Sequence, residues 1–516
     1  RYSYLPNPYQ ANDQLTIFNP VAFNPALGNA PCNGLLYSPG LGSNPCPAGT
    51  GGMAGPNRAI QNNFGLGFAP RLGVAWDPFG TGKTSIRAGF GQFYNRDDIF
   101  VTDGTAGVNP PFVGSFNSVN GNGRFLDNTN QLPACAPNCF GTSLGVAGIG
   151  QDLSSTAPYT LQYNLSIQRE VWKDAKFEIG YVGSQTKNWT SKFDANAIAP
   201  GNRLAFAQSN GNAAGNALKP FTALTNGGIP FFAHHGSAQY DSLQAAFSTR
   251  FQRGSIFQMT YTFSKTYADT ALRVSNGGGS LVLDPFNLRN GYGLANINRP
   301  HILSANVIYN LPTLRDTPML VRNTFGSWEV GSIANISSGS SYTPFIGGIS
   351  NVNDPSGIGN GAGVQLPNIV PGQPCQNPSF KNFQWINPNR YTLNGFKLGQ
   401  IGNAPIGDCL GPPTRTFDAS ISKNFRLTER VKVQFRMDAF NLFNHPQYGN
   451  PGSTNIGFSA PNTAASPEFL TANGTPTTSL ANAVSLQNTT PSTIAGTVTT
   501  QSDRSREFQY SIRFTF

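Results

Sequence analysis

Arg506-Glu-Phe-Gln-Tyr-Ser-Ile-Arg-Phe-Thr-Phe516 closes the chain with a two-residue rhythm. Phe508, Tyr510, Ile512, Phe514 and Phe516 alternate with Gln509, Ser511, Arg513 and Thr515. Successive side chains of a strand point to opposite faces, so one face here is apolar and the other polar. A soluble protein ending on such an exposed aromatic strand would invite edge-to-edge aggregation. A strand with lipid on one face and an aqueous lumen on the other escapes that conflict once it is paired into a barrel.

The same rhythm recurs upstream. Val431, Val433, Phe435, Met437 and Ala439 alternate with Lys432, Gln434, Arg436 and Asp438. Phe417, Ala419, Ile421 and Phe425 alternate with Asp418, Ser420, Ser422 and Asn424, with Lys423 the one lapse. Only Arg426-Leu-Thr-Glu429 separates the two runs, which predicts a tight hairpin. Leu161, Tyr163, Leu165 and Ile167 likewise lead through Lys173-Asp174 to Phe177, Ile179 and Tyr181. Leu243, Ala245, Phe247 and Phe251 lead through Arg253-Gly254 to Phe257, Met259, Tyr261 and Phe263. Weaker pairs span 71–77 with 83–94, and 301–310 with 328–337. With the terminal strand, about eleven strands of bilayer-crossing length are expected.

Composition agrees with this class. The 516 residues include 58 Gly and 39 Pro but only 11% charged residues, as expected of strands joined by turn-rich loops. Mean hydropathy is −0.27, and no apolar run is long enough for a transmembrane helix. Barrel strands evade that measure because every second residue is polar. The net charge of +10 comes without a basic run or a basic-aromatic motif, which argues against nucleic acid. Membrane lipid and the phosphates of lipopolysaccharide are the partners that suit this charge.

Segments 95–158, 188–238, 268–299, 340–413 and 444–505 are rich in Gly, Asn, Pro and Ser and read as irregular loops. Short and long connections therefore alternate, which places the tight turns in the periplasm and the long loops outside. Trp172, Tyr309, Phe425 and Phe516 then fall near the periplasmic rim, where an aromatic girdle belongs. The fold class is an all-β antiparallel transmembrane barrel portion. Residues 1–67 form a strand stub and an outer loop, and 68–516 form the C-terminal portion of the barrel wall, with no plug. The chain opens on Arg1 without a Met, as a processed or truncated piece would.

Six cysteines lie two to a loop in three of the outer segments: Cys32 with Cys46, Cys135 with Cys139, and Cys375 with Cys409. Proximity suggests local disulfides in an oxidising compartment, and no His near any pair supports a metal site. Several motifs are decoys. Gly82-Lys83-Thr84 lacks the earlier glycine of a phosphate loop, because Asp77 stands there. His234-His235 has no carboxylate cluster around it, and Asp97-Asp98 has nothing to work against. Asn351 to Gly357 suggests a calcium loop without its spacing or closing Glu. No catalytic constellation emerges, and no cofactor is called for. Ligand contacts are expected among the outer-loop aromatics Trp189, Tyr342, Trp385 and Tyr391, whose flat faces stack on amphiphilic solutes. Packing of one loop on another, or a place in the interfacial girdle, is the plainer reading of the same four residues.

The run Val433-Gln-Phe-Arg-Met-Asp-Ala-Phe-Asn-Leu-Phe-Asn-His-Pro-Gln-Tyr-Gly-Asn-Pro451 resembles the most recognisable stretch of Oar-like TonB-dependent outer-membrane receptors of acidobacterial type. Gly82 to Arg96, Gln162 to Glu170, Gly180 to Ser184 and Tyr261 to Lys265 are similar to other strands of that family. Asp284-Pro-Phe-Asn-Leu-Arg289 and Asn298-Arg-Pro-His301 fit as well. A terminal Phe, here Phe516, resembles the signal read by the barrel-assembly machinery. The resemblance implies a barrel of about twenty-two strands with a plug, which TonB moves using proton-motive force. The TonB complex would act through an N-terminal plug that this sequence lacks. Energised uptake of a solute is thus one expectation. A passive, structural or adhesive surface barrel is the other.

Overall fold

In the computed structural model, eleven strands form one antiparallel path, each hydrogen-bonded to its neighbour in sequence order. All residues are described except 1, 8, 96–108, 110, 113–147, 155, 226, 270–281, 350, 360–364, 427, 429, 452–454, 492–497 and 499–504. The wall strands are β1 (Arg71–Trp76), β2 (Thr84–Tyr94), β3 (Tyr159–Trp172), β4 (Ala175–Asp194), β5 (Pro230–Arg250) and β6 (Ile256–Ala268). They continue as β7 (His301–Asn310), β8 (Trp328–Ser337), β9 (Thr414–Arg426), β10 (Lys432–Phe440) and β11 (Glu507–Thr515). The sheet is open, with β1 at one end of the path and β11 at the other. Ahead of β1 in the chain, Tyr2–Leu5 pairs antiparallel with Phe64–Phe68 as a separate two-stranded sheet.

Register carries the two-residue rhythm across the whole sheet. Ile86 faces Ile167, Ile167 faces Ile179, and Phe247 faces Met259. Ile421 faces Met437, which faces Tyr510. These side chains share one apolar face that stays exposed: Leu165 by 50%, Tyr510 by 64% and Phe514 by 62%. The opposite face carries Gln162, Asn164, Ser166, Gln168, Ser420, Ser422, Gln434 and Arg436. On it Arg436 and Asp438 form an ion pair at 2.8 Å.

The turns have identifiable chemistry. Asp174 takes the left-handed φ of 64° in the Lys173-Asp174 turn. Asp77 accepts hydrogen bonds from the backbone N–H of Phe79 (3.2 Å) and Gly82 (2.7 Å). The residue that spoils the phosphate-loop reading therefore builds a hairpin turn. One turn-end connection is longer than the rest: between β7 and β8 the chain forms a helix, Met319–Phe325.

Two expectations for the long segments need correction. Segment 188–238 is not a loop throughout. Strands β4 and β5 stay paired to Asp194 opposite Pro230, with the register shifting around Trp189. They extend because Phe193, Phe232 and Ala233 bury their side chains beyond the wall.

Nor are the described residues of the long segments unpacked, irregular though most of their backbone is. They hold the buried core of the molecule. Its largest cluster joins Ala207, Leu283, Ile346, Tyr391, Leu393, Phe396, Phe458, Phe469 and Leu486, drawn from four different segments. A second joins Phe18, Cys32 and Leu35 to Leu224 and Ile229. A third sets Leu153 against Leu15, Ile17 and Ile60. Each large side chain fully buried here stabilises by roughly 1.5–3 kcal/mol. The described residues of these segments form a packed loop body, built around these clusters.

Candidate functional site: the loop body and the polar cleft of the wall

The four aromatic candidates fall into two environments. Tyr342, Trp385 and Tyr391 are 6%, 9% and 1% exposed and belong to the largest core cluster. Trp385 donates its indole N–H to the Leu410 carbonyl at 2.8 Å and meets the Phe380 ring edge-on. Tyr391 donates to Asp408 Oδ2 at 2.8 Å. Arg390 grips both oxygens of that carboxylate, Nε to Oδ2 at 2.8 Å and Nη2 to Oδ1 at 2.7 Å. Burial raises the Tyr391 phenol far above its usual range, and the Asp408 carboxylate adds to the effect. Burial raises Tyr342 in the same direction, again with Asp408 adding to it. These three rings pack in the core of the body, and the hydrogen bonds named here stay within the segment 340–413. Trp189 differs: it is half-buried at the β4 register shift opposite Gly236, and its indole N–H has no partner among the described residues.

Disulfides join Cys32 to Cys46 and Cys375 to Cys409, with Cα separations of 6.1 and 5.7 Å. Cys135 and Cys139 lie outside the described residues, as do Asp97 and Asp98. Cys375, Asp408 and Cys409 bring three potential metal-ligating atoms within 4.8 Å of one another. The sulfurs are bonded to each other and the carboxylate is committed to Arg390 and Tyr391, so the cluster is an ion pair beside a disulfide.

Several anchors of the body follow no periodicity in the sequence. Arg203 donates to Asp284 from Nη2 at 2.7 Å and from Nη1 at 3.1 Å, joining two segments at nearly full burial. Asp284 also accepts from the Phe286 N–H at 3.0 Å and from Asn290 Nδ2 at 2.9 Å. Asn298, fully buried, accepts from the Thr266 N–H at 2.9 Å and donates to Ser341 Oγ at 2.9 Å. Asn441 accepts from the His445 N–H at 3.0 Å, while its own N–H donates to Asp418 at 2.8 Å. The motif runs 298–301 and 433–451 therefore tie loops to the wall, and 284–289 ties one loop to another.

The polar face of β4, β5 and β6 opens a cleft of about 360 Å³. Ser184, Thr186, Tyr240, Ser264 and Thr266 line it with hydroxyls, and Arg299 supplies the cation. Arg299 is held in place by Ser337 Oγ at 3.2 Å and the Ser338 carbonyl at 3.1 Å. Oriented hydroxyls around one fixed guanidinium suit a polar solute with an anionic or hydroxylated group. Because the lining comes from separate strands and the 297–302 segment, no sequence window displays it.

Among solved structures, the chain aligns with the outer membrane transporter YddB from Escherichia coli at 11% identity and a TM-score of 0.40. That alignment covers 87% of this chain and 41% of that one. It aligns with the siderophore receptor PirA from Pseudomonas aeruginosa at 9% identity and a TM-score of 0.31, covering 74% and 40%. The chain thus spans less than half the length of these solved proteins. No curated protein sequence matches it. Residues 1–510 match the outer membrane beta barrel domain. With its two-faced antiparallel wall and that match over nearly its whole length, the chain belongs to the outer membrane β-barrel domain family and resides in the bacterial outer membrane.

Proposed function

We propose that this chain is the C-terminal barrel portion of an Oar-like TonB-dependent receptor that takes up a solute at the expense of proton-motive force. The carrying observation is the polar, hydroxyl-lined cleft with its fixed Arg299 on the polar face of the wall. A passive sieve needs no fixed binding group, whereas a held guanidinium among oriented hydroxyls suits capture of one solute followed by a driven release. The family stretches quoted above support the same reading. In this account Arg299 and the cleft hydroxyls meet the solute on the lumenal side, and Trp189 meets it at the loop body. A plug supplied by sequence ahead of Arg1 would receive the pull of TonB.

The second reading is a structural or adhesive surface barrel. It draws on the burial of Tyr342, Trp385 and Tyr391, which commits three of the four expected ligand aromatics to packing. The deciding experiment is mass spectrometry of the native protein from outer-membrane fractions, combined with in-cell cross-linking to TonB. Peptides upstream of Arg1 and a TonB adduct are expected. A mature start at Arg1 with no adduct would transfer the case to the structural reading.

A further inference from the structure

Lys423 breaks the apolar series of β9, and its surroundings show what it does there. Its register partner is Trp328, and both lie on the lipid-facing side of the wall, in series with Ile421, Phe425 and Val330. Lys423 is only 4% exposed. Its ammonium donates to the backbone carbonyls of Asn323 and of Thr324, the latter at 3.2 Å. It also lies 5.2 Å from the Trp328 ring centroid and 5.3 Å from that of Phe425. The Trp328 indole N–H donates to the same Thr324 carbonyl at 2.7 Å. These carbonyls end the Met319–Phe325 helix, where a helix leaves acceptors unfilled and favours a cation.

The geometry points to an in-plane membrane anchor: we propose that the Met319–Phe325 helix lies in the periplasmic leaflet of the outer membrane, against phospholipid. Both side chains that hold its C-terminus project from the lipid face, so the helix sits outside the wall and not under the lumen. Met319, Leu320 and Phe325 are 69%, 81% and 63% exposed, a costly display in water. They continue the lipid-facing surface through Tyr309 and Trp328, aromatic residues of the kind that settle at the headgroup level. Arg315 and Arg322 are exposed on the same connection, form no ion pair among the described residues, and suit lipid phosphates. At Gly326 an added Cβ would come within 2.8 Å of the Arg322 and Thr313 carbonyls, so the chain turns back to β8 at a fixed point.

The test is nitroxide accessibility in the full-length protein reconstituted in phospholipid vesicles. A label at Leu320→Cys should collide with oxygen more often than with a water-soluble nickel chelate. A label at Thr428→Cys, in the β9–β10 turn, should show the reverse. Lys423→Met should raise the mobility of the Leu320 label while the barrel keeps its heat-modifiable migration. If that variant does not fold, Trp328→Phe removes a single hydrogen bond and serves instead. A Leu320 label as open to nickel as the Thr428 label would overturn the proposal. So would a label closed to both reagents, which would mean that protein covers the helix.

Discussion

Removing the Arg203 guanidinium should loosen the loop body while leaving the wall intact. Arg203 and Asp284 retain only 8% and 3% of their side-chain exposure, and two hydrogen bonds of 2.7 and 3.1 Å join them. Breaking a buried pair from one side strands the remaining charge, at a cost of about 3–5 kcal/mol. Asp284 keeps the Phe286 N–H and Asn290 amide as donors, which places Arg203→Met near the lower end, at about 3 kcal/mol. Each ~1.4 kcal/mol is a factor of ten, so amides that exchange through opening of this region should exchange roughly 100-fold faster. Hydrogen exchange with mass spectrometry in nanodiscs reads this directly, using peptides over 282–291 for the body and 161–170 for the wall. The double variant Arg203→Met, Asp284→Leu should recover most of the protection, because it leaves no uncompensated charge. Unchanged exchange over 282–291, or equal acceleration in β3, would refute the reasoning.

Three further outcomes are expected. Breaking Cys375–Cys409, which closes 34 residues, should destabilise the body by about 4 kcal/mol, and breaking Cys32–Cys46, which closes 14, by about 3 kcal/mol on the chain-entropy account. Protease resistance of the loops before and after reduction and alkylation ranks the two. Glu468 is fully buried, its Oε1 has no partner among the described residues, and burial raises its carboxyl above the ordinary 4.5. The folded protein then holds this proton where the unfolded chain has lost it, so stability falls as pH rises from about 4.5 through the raised value. Glu468→Gln, which keeps the side-chain shape, should therefore melt higher than the parent at neutral pH, with the gap closing toward pH 4.5. On the wall, Leu165→Arg should cost about 2–4 kcal/mol in folding into lipid, and Ser166→Arg on the lumenal face very little. Denaturant titrations in phospholipid compare the pair.

The wall was readable because its period is local: each residue from Phe508 to Phe516 reveals its face through its neighbours two positions away. Even the lapse at Lys423 was visible, though its reason lay about a hundred residues upstream in the carbonyls of Asn323 and Thr324. The loop body was not readable. Ile346, Phe396, Phe458 and Phe469 stand in short apolar patches among Gly, Asn and Pro, and they are buried in one cluster that draws on several segments. Such a core has no period, and its composition is that of a loop. Strands β4 and β5 were cut short for a related reason. Past Trp189 the register shifts, and the faces no longer alternate against the same surroundings. Three of the four proposed ligand aromatics were chosen for chemistry that burial then spent on packing. The cleft around Arg299 was missed because separate strands build it.

The shared core of the outer segments also constrains how the surface can diversify. Phages, antibodies and toxins press an exposed barrel to change its loops, and a loop that merely dangles can be exchanged whole. Here Ala207, Leu283, Ile346 and Phe469 interlock across four segments, so replacing one segment would leave a hole in the packing of three others. Drift must then run through the exposed positions between the buried ones, residue by residue. The portrait this protein shows to its enemies can be repainted, but its frame has to be inherited in one piece.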